Sequence, residues 1–114
     1  MSYIDGFVIP AKTARRADYA KLSATFAEVF AEAGATRVVE CWGDDVPQGV
    51  TTSFPLAVKL EADETVVLGW IEWPSKQVRD AGNEKVRSDP RMAMSADMPL
   101  NAQRMIFGGF VPLR

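Results

Sequence analysis

The chain has no histidine and a single cysteine, and these two shortages exclude more chemistry than any motif in it adds. Without histidine there is no Ser–His or Cys–His pair to activate a nucleophile, no imidazole ligand for haem and no ordinary zinc site. Cys41 can form no disulfide within the chain, which fits a reducing, cytoplasmic setting; it reads as a small core residue of a strand rather than a reactive thiol. Long apolar runs are also missing. The longest, VVLGWI at 66–71, is far short of the roughly 20 residues that cross a bilayer. The start, MSYIDGFVIP, carries Asp5 and no basic segment, so no secretory leader is expected. Thirteen basic against fifteen acidic residues leave a net charge of −2 with no basic cluster, which disfavours nucleic acid as a partner.

What remains is an ordinary globular composition, 47% hydrophobic and 25% charged over 114 residues. That suits one domain, residues 1–114, able to bury a core of its own. YIDGFVIP at 3–10 reads as a strand. From about Ala14 to Ala33 the apolar residues Tyr19, Leu22, Phe26, Val29, Phe30 and Ala33 recur every three or four positions, as on one helix face, with Thr13 as N-cap and Gly34 as the stop. TRVVECW at 36–42 is a strand, and the stretch 54–73 reads as two strand-like runs joined by an acidic turn. Ser75 caps a second helix that runs to about Ser88, ahead of Pro90, with a thinner stripe of Val78, Ala81, Gly82 and Val86. QRMIFGGFVPL closes the chain as a strand.

This order predicts an α+β, ferredoxin-like β-α-β-β-α-β subunit with an antiparallel sheet. Three strand segments between the helices would reverse the chain once too often. The spacing is therefore read with 36–42 and 54–61 as two parts of one interrupted strand. In residues 65–73 apolar side chains occupy both alternating sets, Val66, Leu68 and Trp70 against Val67, Ile71 and Trp73. Two helices cover one face of such a sheet, so a second copy of the chain is expected on the other, giving a homodimer.

YIDGFV, VECWGDDVP, WPSK, DPRM and RMIFGGF, in this order along nearly the whole chain, resemble the YbaA-like family of small bacterial proteins of unknown function. The resemblance implies the dimeric α/β-barrel superfamily, in which the sheets of two ferredoxin-like subunits pack together and ligands commonly occupy a cavity between sheet and helices. Wider relatives include cofactor-independent monooxygenases, haem-degrading enzymes, isomerases and decarboxylases. The haem-binding and YciI-like members use histidine, from which this chain departs. Fold analogy alone assigns no reaction.

The densest group of chemistry-bearing residues is VECWGDDVP at 39–47. Glu40 and Trp42 share a strand face, whereas the adjacent Asp44 and Asp45 point apart and suit one metal ion poorly. The two aspartates are read as a structural turn, as a ligand contact or, least of all, as metal ligands. Arg79, Arg91 and Arg104 suit carboxylates and are expected either to pair with acids such as Asp5, Glu40, Asp44, Asp45, Glu72 or Asp89, or to face an anionic ligand. The expected protein is a cytoplasmic homodimer without metal, cofactor, nucleic-acid or membrane partner. It would bind a small, partly apolar or anionic metabolite in a cavity bounded by Trp42, Asp44, Asp45, Arg79, Arg91 and Arg104. The alternatives are a cofactor-independent monooxygenase or isomerase using Asp44 or Asp45 as a carboxylate base, and a structural protein with no small-molecule site.

Overall fold

The computed structural model describes residues 1–114. Strand β1 (Tyr3–Lys12) is the axis of one four-stranded sheet. It runs antiparallel to β3 (Glu64–Trp73) along its full length, from Tyr3 opposite Trp73 to Lys12 opposite Glu64. β4 (Ile106–Phe110) pairs with the free side of β1, and β2 (Arg37–Trp42) pairs with the free side of β3. The order is β2-β3-β1-β4, and every neighbouring pair is antiparallel. The result is a mixed α+β architecture.

Helix α1 (Arg16–Glu32) and helix α3 (Lys76–Arg87) pack on the same face of the sheet. The expected stripe of α1 is the packing face: Tyr19 and Val29 are buried, and Ala33 follows them at the helix end. Val29 and Ala33 meet Ile71, the fully enclosed Trp73, and Val86 of α3. Gly34 ends α1 in the left-handed region, at φ 116°, where a side chain is disfavoured. Ser75 caps α3 as expected, its Oγ accepting the Val78 N–H at 3.1 Å. Gly82 lets α3 approach closely, since a Cβ there would stand 2.4 Å from the Trp73 ring. Ala81 is exposed and lies off that packing face.

Two local expectations are corrected. Thr13 does not cap α1. It sits in a short 3-10 turn, Thr13–Arg15, and its hydroxyl shares a 2.7 Å hydrogen bond with that of Thr65. The reason is that β1 continues past Pro10 to Lys12, and the Thr13 N–H is still bonded to the Asp63 carbonyl. Residues 54–61 are not the second half of an interrupted strand either. Phe54–Ala57 forms a one-turn helix, α2, because Ser53 Oγ accepts the Leu56 N–H at 3.0 Å and Pro55 supplies a helix-compatible φ. Only two strands, β2 and β3, therefore lie between α1 and α3, and the direction problem disappears.

The loop bearing α2 covers part of the sheet face that the helices leave bare. Val58 packs there on Val8 and Val66, with Leu60 beside them. The rest of that face stays open: Leu68 is 40% exposed, Ile106 43% and Phe110 59%, and Cys41, expected in the core, is exposed instead because it lies opposite Leu68 on this face. Arg104 locks the covering loop. Its Nη1 donates to the Val58 and Lys59 carbonyls at 3.2 and 3.0 Å and to Glu64 Oε1 at 2.8 Å. The Glu64 side chain is only 2% exposed, and its carboxylate also accepts the Glu61 N–H.

The hydrogen bond from Arg104 holds the Glu64 carboxyl below its ordinary pKa of 4.5, against the opposing effect of burial. A carboxyl depressed in the folded state stabilises fully above its unfolded pKa, and that contribution fades as pH falls through the folded value. Glu64→Gln is expected to lower the urea-unfolding free energy by about 3 kcal/mol at pH 7. The gap between wild type and variant should narrow as pH falls below the ordinary carboxyl value of 4.5 and through the lower folded-state value.

Candidate functional site

A cavity of about 310 Å³ lies between the helix-side face of the sheet and α1. The strand register builds its floor. On that face one row crosses all four strands: Glu40 lies opposite Gly69, Gly69 opposite Phe7, and Phe7 opposite Phe107. Glu40, Phe7 and Phe107 line the cavity. Gly69 makes the row possible, because a Cβ there would stand 2.1 Å from Phe7 Cζ. The adjacent row contributes Val38, Ile71 and Asp5. Phe26 and Phe30 of α1 form one wall, and Met92, Met94, Leu100 and Met105, from the chain between α3 and β4, form another.

Two carboxylates reach this mainly apolar space, in different electrostatic states. Asp5 is paired: Arg79 Nε and Nη2 donate to its Oδ1 at 3.0 and 2.8 Å, and the Trp73 indole N–H donates to Oδ2 at 2.9 Å. The Arg79 guanidinium stacks 5.1 Å from the Tyr3 ring centre, and its hydrogen bonds to Asp5 raise its pKa further. Glu40 forms no ion pair. Ser23 Oγ donates to Oε1 at 2.7 Å and the Tyr19 hydroxyl donates to Oε2 in a short hydrogen bond. Tyr19 and Ser23 are four residues apart on α1 and so project from the same side of the helix. Burial, and then the Glu40 charge, push the Tyr19 pKa far above its ordinary value of 10.0. Tyr19 therefore stays a neutral donor across the physiological range.

None of the six residues expected to bound the site lines this cavity. Trp42 stands behind it, edge-on to Tyr19 with ring centres 6.0 Å apart and with the Arg16 guanidinium 5.5 Å above its own ring. Arg79 reaches the cavity only through Asp5. Arg91 forks between Asp89 and Glu32, tying the chain after α3 to α1. Arg104 is engaged by Glu64. Asp44 and Asp45 are exposed just beyond β2 and make no side-chain hydrogen bond or ion pair. No three acidic or cysteine side chains converge as a metal cluster would require.

The residues that line the cavity instead include Glu40, Tyr19, Asn83 and the methionine wall, and Ser23 reaches it only through its hydrogen bond to Glu40. Glu40 carried a readable signal, an acid alternating with Val38 and Trp42 on the inward side of a strand. Its pairing with two hydroxyls of a distant helix carried none.

These features define a small α+β protein with an acid-floored apolar cavity between sheet and helix. The chain belongs to the family described as "Protein of unknown function (DUF1428)", whose model matches residues 2–102. That match takes in Asp5, Tyr19, Ser23 and Glu40 and stops short of β4. The chain is 50% identical over 111 residues to "Uncharacterized protein YbaA" of Escherichia coli K12, covering 96% of this chain and 95% of that one. The proteins of the same name from Escherichia coli O157:H7 and Shigella flexneri match to the same extent.

Tyr19→Phe leaves one Glu40 oxygen without its donor and is expected to lower stability by about 1.5–3 kcal/mol in urea titration. Asp45→Asn, at a surface position without partners, is expected to stay within about 0.5 kcal/mol of wild type in the same assay.

Proposed function

We propose that this chain is a ferredoxin-like subunit of a cytoplasmic homodimer that binds a small, partly apolar molecule in the cavity above the Glu40–Gly69–Phe7–Phe107 row. The observation that carries the proposal is Glu40, an acid with neutral partners and no cation, at the wall of an otherwise apolar space. Ligand sites generally combine such a lining with a few fixed polar groups. Within this reading the expected residues support the site from outside it. Trp42 backs Tyr19, Arg79 holds Asp5, Arg91 anchors the methionine wall and Arg104 anchors the α2 loop. Asp44 and Asp45 only shape the exit of β2. The acidic floor favours a ligand that donates hydrogen bonds over an anionic one.

The strand order β2-β3-β1-β4, with both long helices on one side, supports the ferredoxin-like assignment. Leu68, Ile106 and Phe110 on the open face support a second copy as its cover, since soluble proteins rarely leave such apolar patches in water. The unpaired Cys41 suits a reducing compartment. No helix is long and apolar enough to cross a membrane.

A second reading rests on the same Glu40. A carboxylate without a cationic partner, partly shielded from water, is also how a general base is set up, so a cofactor-independent enzyme would use Glu40 rather than Asp44 or Asp45. With a converted ligand in hand, Glu40→Gln should abolish turnover even at ligand concentrations that saturate the variant. If turnover also persists, Glu40 is not the base.

Sedimentation equilibrium is expected to find a dimer at micromolar concentration, and Leu68→Lys a folded monomer; a wild-type monomer would remove the homodimer. A thermal-shift screen of small aromatic and aliphatic metabolites is expected to raise the wild-type melting temperature. Ala102→Trp, which crowds the cavity wall, should lose that response. A broad screen without a single stabilising compound would return the cavity to a purely structural role.

A further inference from the structure

We propose that the molecule held in this cavity is a monoamine: one protonated amino group set against Glu40, on a compact aromatic or aliphatic body. The inference rests on the reading of the cavity as a ligand site and specifies the chemistry of its occupant.

The argument is a charge inventory. Of the two carboxylates lining the cavity, Asp5 is already met by the Arg79 fork and the Trp73 indole. Glu40 receives two hydroxyl hydrogens, one on each oxygen, and no cation. A carboxylate has about four acceptor sites on its two oxygens, so lone pairs remain free on both. No lysine or arginine is among the lining residues. The cavity wall therefore presents one carboxylate without a cationic partner beside an apolar surface. A neutral occupant would displace the water that solvates this charge and offer no counter-charge in return. An anionic occupant would add repulsion. A protonated amine removes the imbalance and supplies donors to the free lone pairs.

The walls agree with the floor. Phe7, Phe26, Phe30, Phe107 and Tyr19 present aromatic rings around the same space, and the faces of such rings attract ammonium groups. The thioethers of Met92, Met94 and Met105 are soft and adaptable, as a wall for an aliphatic or aromatic body should be. A volume of about 310 Å³ is at the small end of ligand sites. Because only one carboxylate lacks a cation, a second ammonium group would have no partner. That distinguishes a monoamine from a diamine or polyamine.

The test is isothermal titration of the full-length protein with four probes: phenethylamine, its neutral counterpart 2-phenylethanol, the anion 3-phenylpropanoate, and the diamine 1,4-diaminobutane. Phenethylamine is expected to bind at least tenfold more tightly than each of the others. Glu40→Gln is expected to bring phenethylamine to within about threefold of the alcohol without changing the alcohol's affinity. Should that variant fail to fold, the wild-type comparison between amine and alcohol decides alone. If the alcohol or the acid binds as tightly as the amine, the monoamine assignment is overturned and the cavity reading stands. Equal binding by the diamine removes the restriction to one amino group. If none of the four binds at millimolar concentration, the monoamine assignment falls, and the broad thermal-shift screen alone decides the ligand-site reading.

Discussion

The full-length antiparallel pairing of β1 with β3 is the constraint on which the rest of the structure depends. Side chains alternate across a strand, so a slip of one residue would carry every helix-facing side chain to the opposite face. The register sets Asp5 within reach of the Trp73 indole, lays the Phe7 ring over Gly69, and puts Gly69 next to Glu40. Gly69 pins it further. Phe7 can lie flat there only because its cross-strand neighbour has no side chain, and a shift would bring the ring against a side chain instead. The same pairing therefore specifies the core and the cavity floor together.

The two sheet faces are closed by different means. On the helix side, α1 and α3 bury Trp73, Ile71 and Val67 but leave a gap over the row from Glu40 to Phe107. On the other side the α2 loop brings Val58 and Leu60 over one end of the sheet, and the Arg104–Glu64 pair holds it there. That pair spans 40 residues of sequence and joins the segment before β4 to the start of β3. It is an internal structural latch, and its charges are consumed by the fold. Glu40 is the exception among the inward-facing acids, since its partners are hydroxyls that leave its charge unanswered. The acids that serve the fold and the acid available for chemistry are thus distinguished by the charge of what they touch.

Much of this was legible in the sequence, for identifiable physical reasons. The stripe from Tyr19 to Ala33, the Gly34 stop and the Ser75 cap are local signals, and each governs the structure where it occurs. The order of elements followed from them. Residues 54–61 were misleading because FPLAVKL alternates well enough for a strand, while the cap from Ser53 and the fixed φ of Pro55 favour a single helical turn. The site was less legible than the fold. Asp44 and Asp45 drew attention as adjacent acids, yet they fall just beyond the strand, where nothing packs on them. Glu40 gains its character from Tyr19 and Ser23, about twenty residues earlier, and no spacing rule links a strand acid to two hydroxyls on a helix. The arginines were rightly expected to seek carboxylates, but their choice of Asp5, Asp89 with Glu32, and Glu64 is a property of the folded chain.

The central claim is that the space above Glu40, Phe7 and Phe107 receives a small molecule. Methionine is a built-in reporter for it, because Met92, Met94 and Met105 line the cavity while Met1 and Met98 do not. The most direct measurement is a titration of methyl-13C-methionine-labelled protein with phenethylamine, followed by NMR. The account predicts chemical-shift changes in the methyl signals of Met92, Met94 and Met105, with Met1 and Met98 unmoved. Binding that shifts Met1 or Met98 while leaving Met92, Met94 and Met105 unmoved would contradict it.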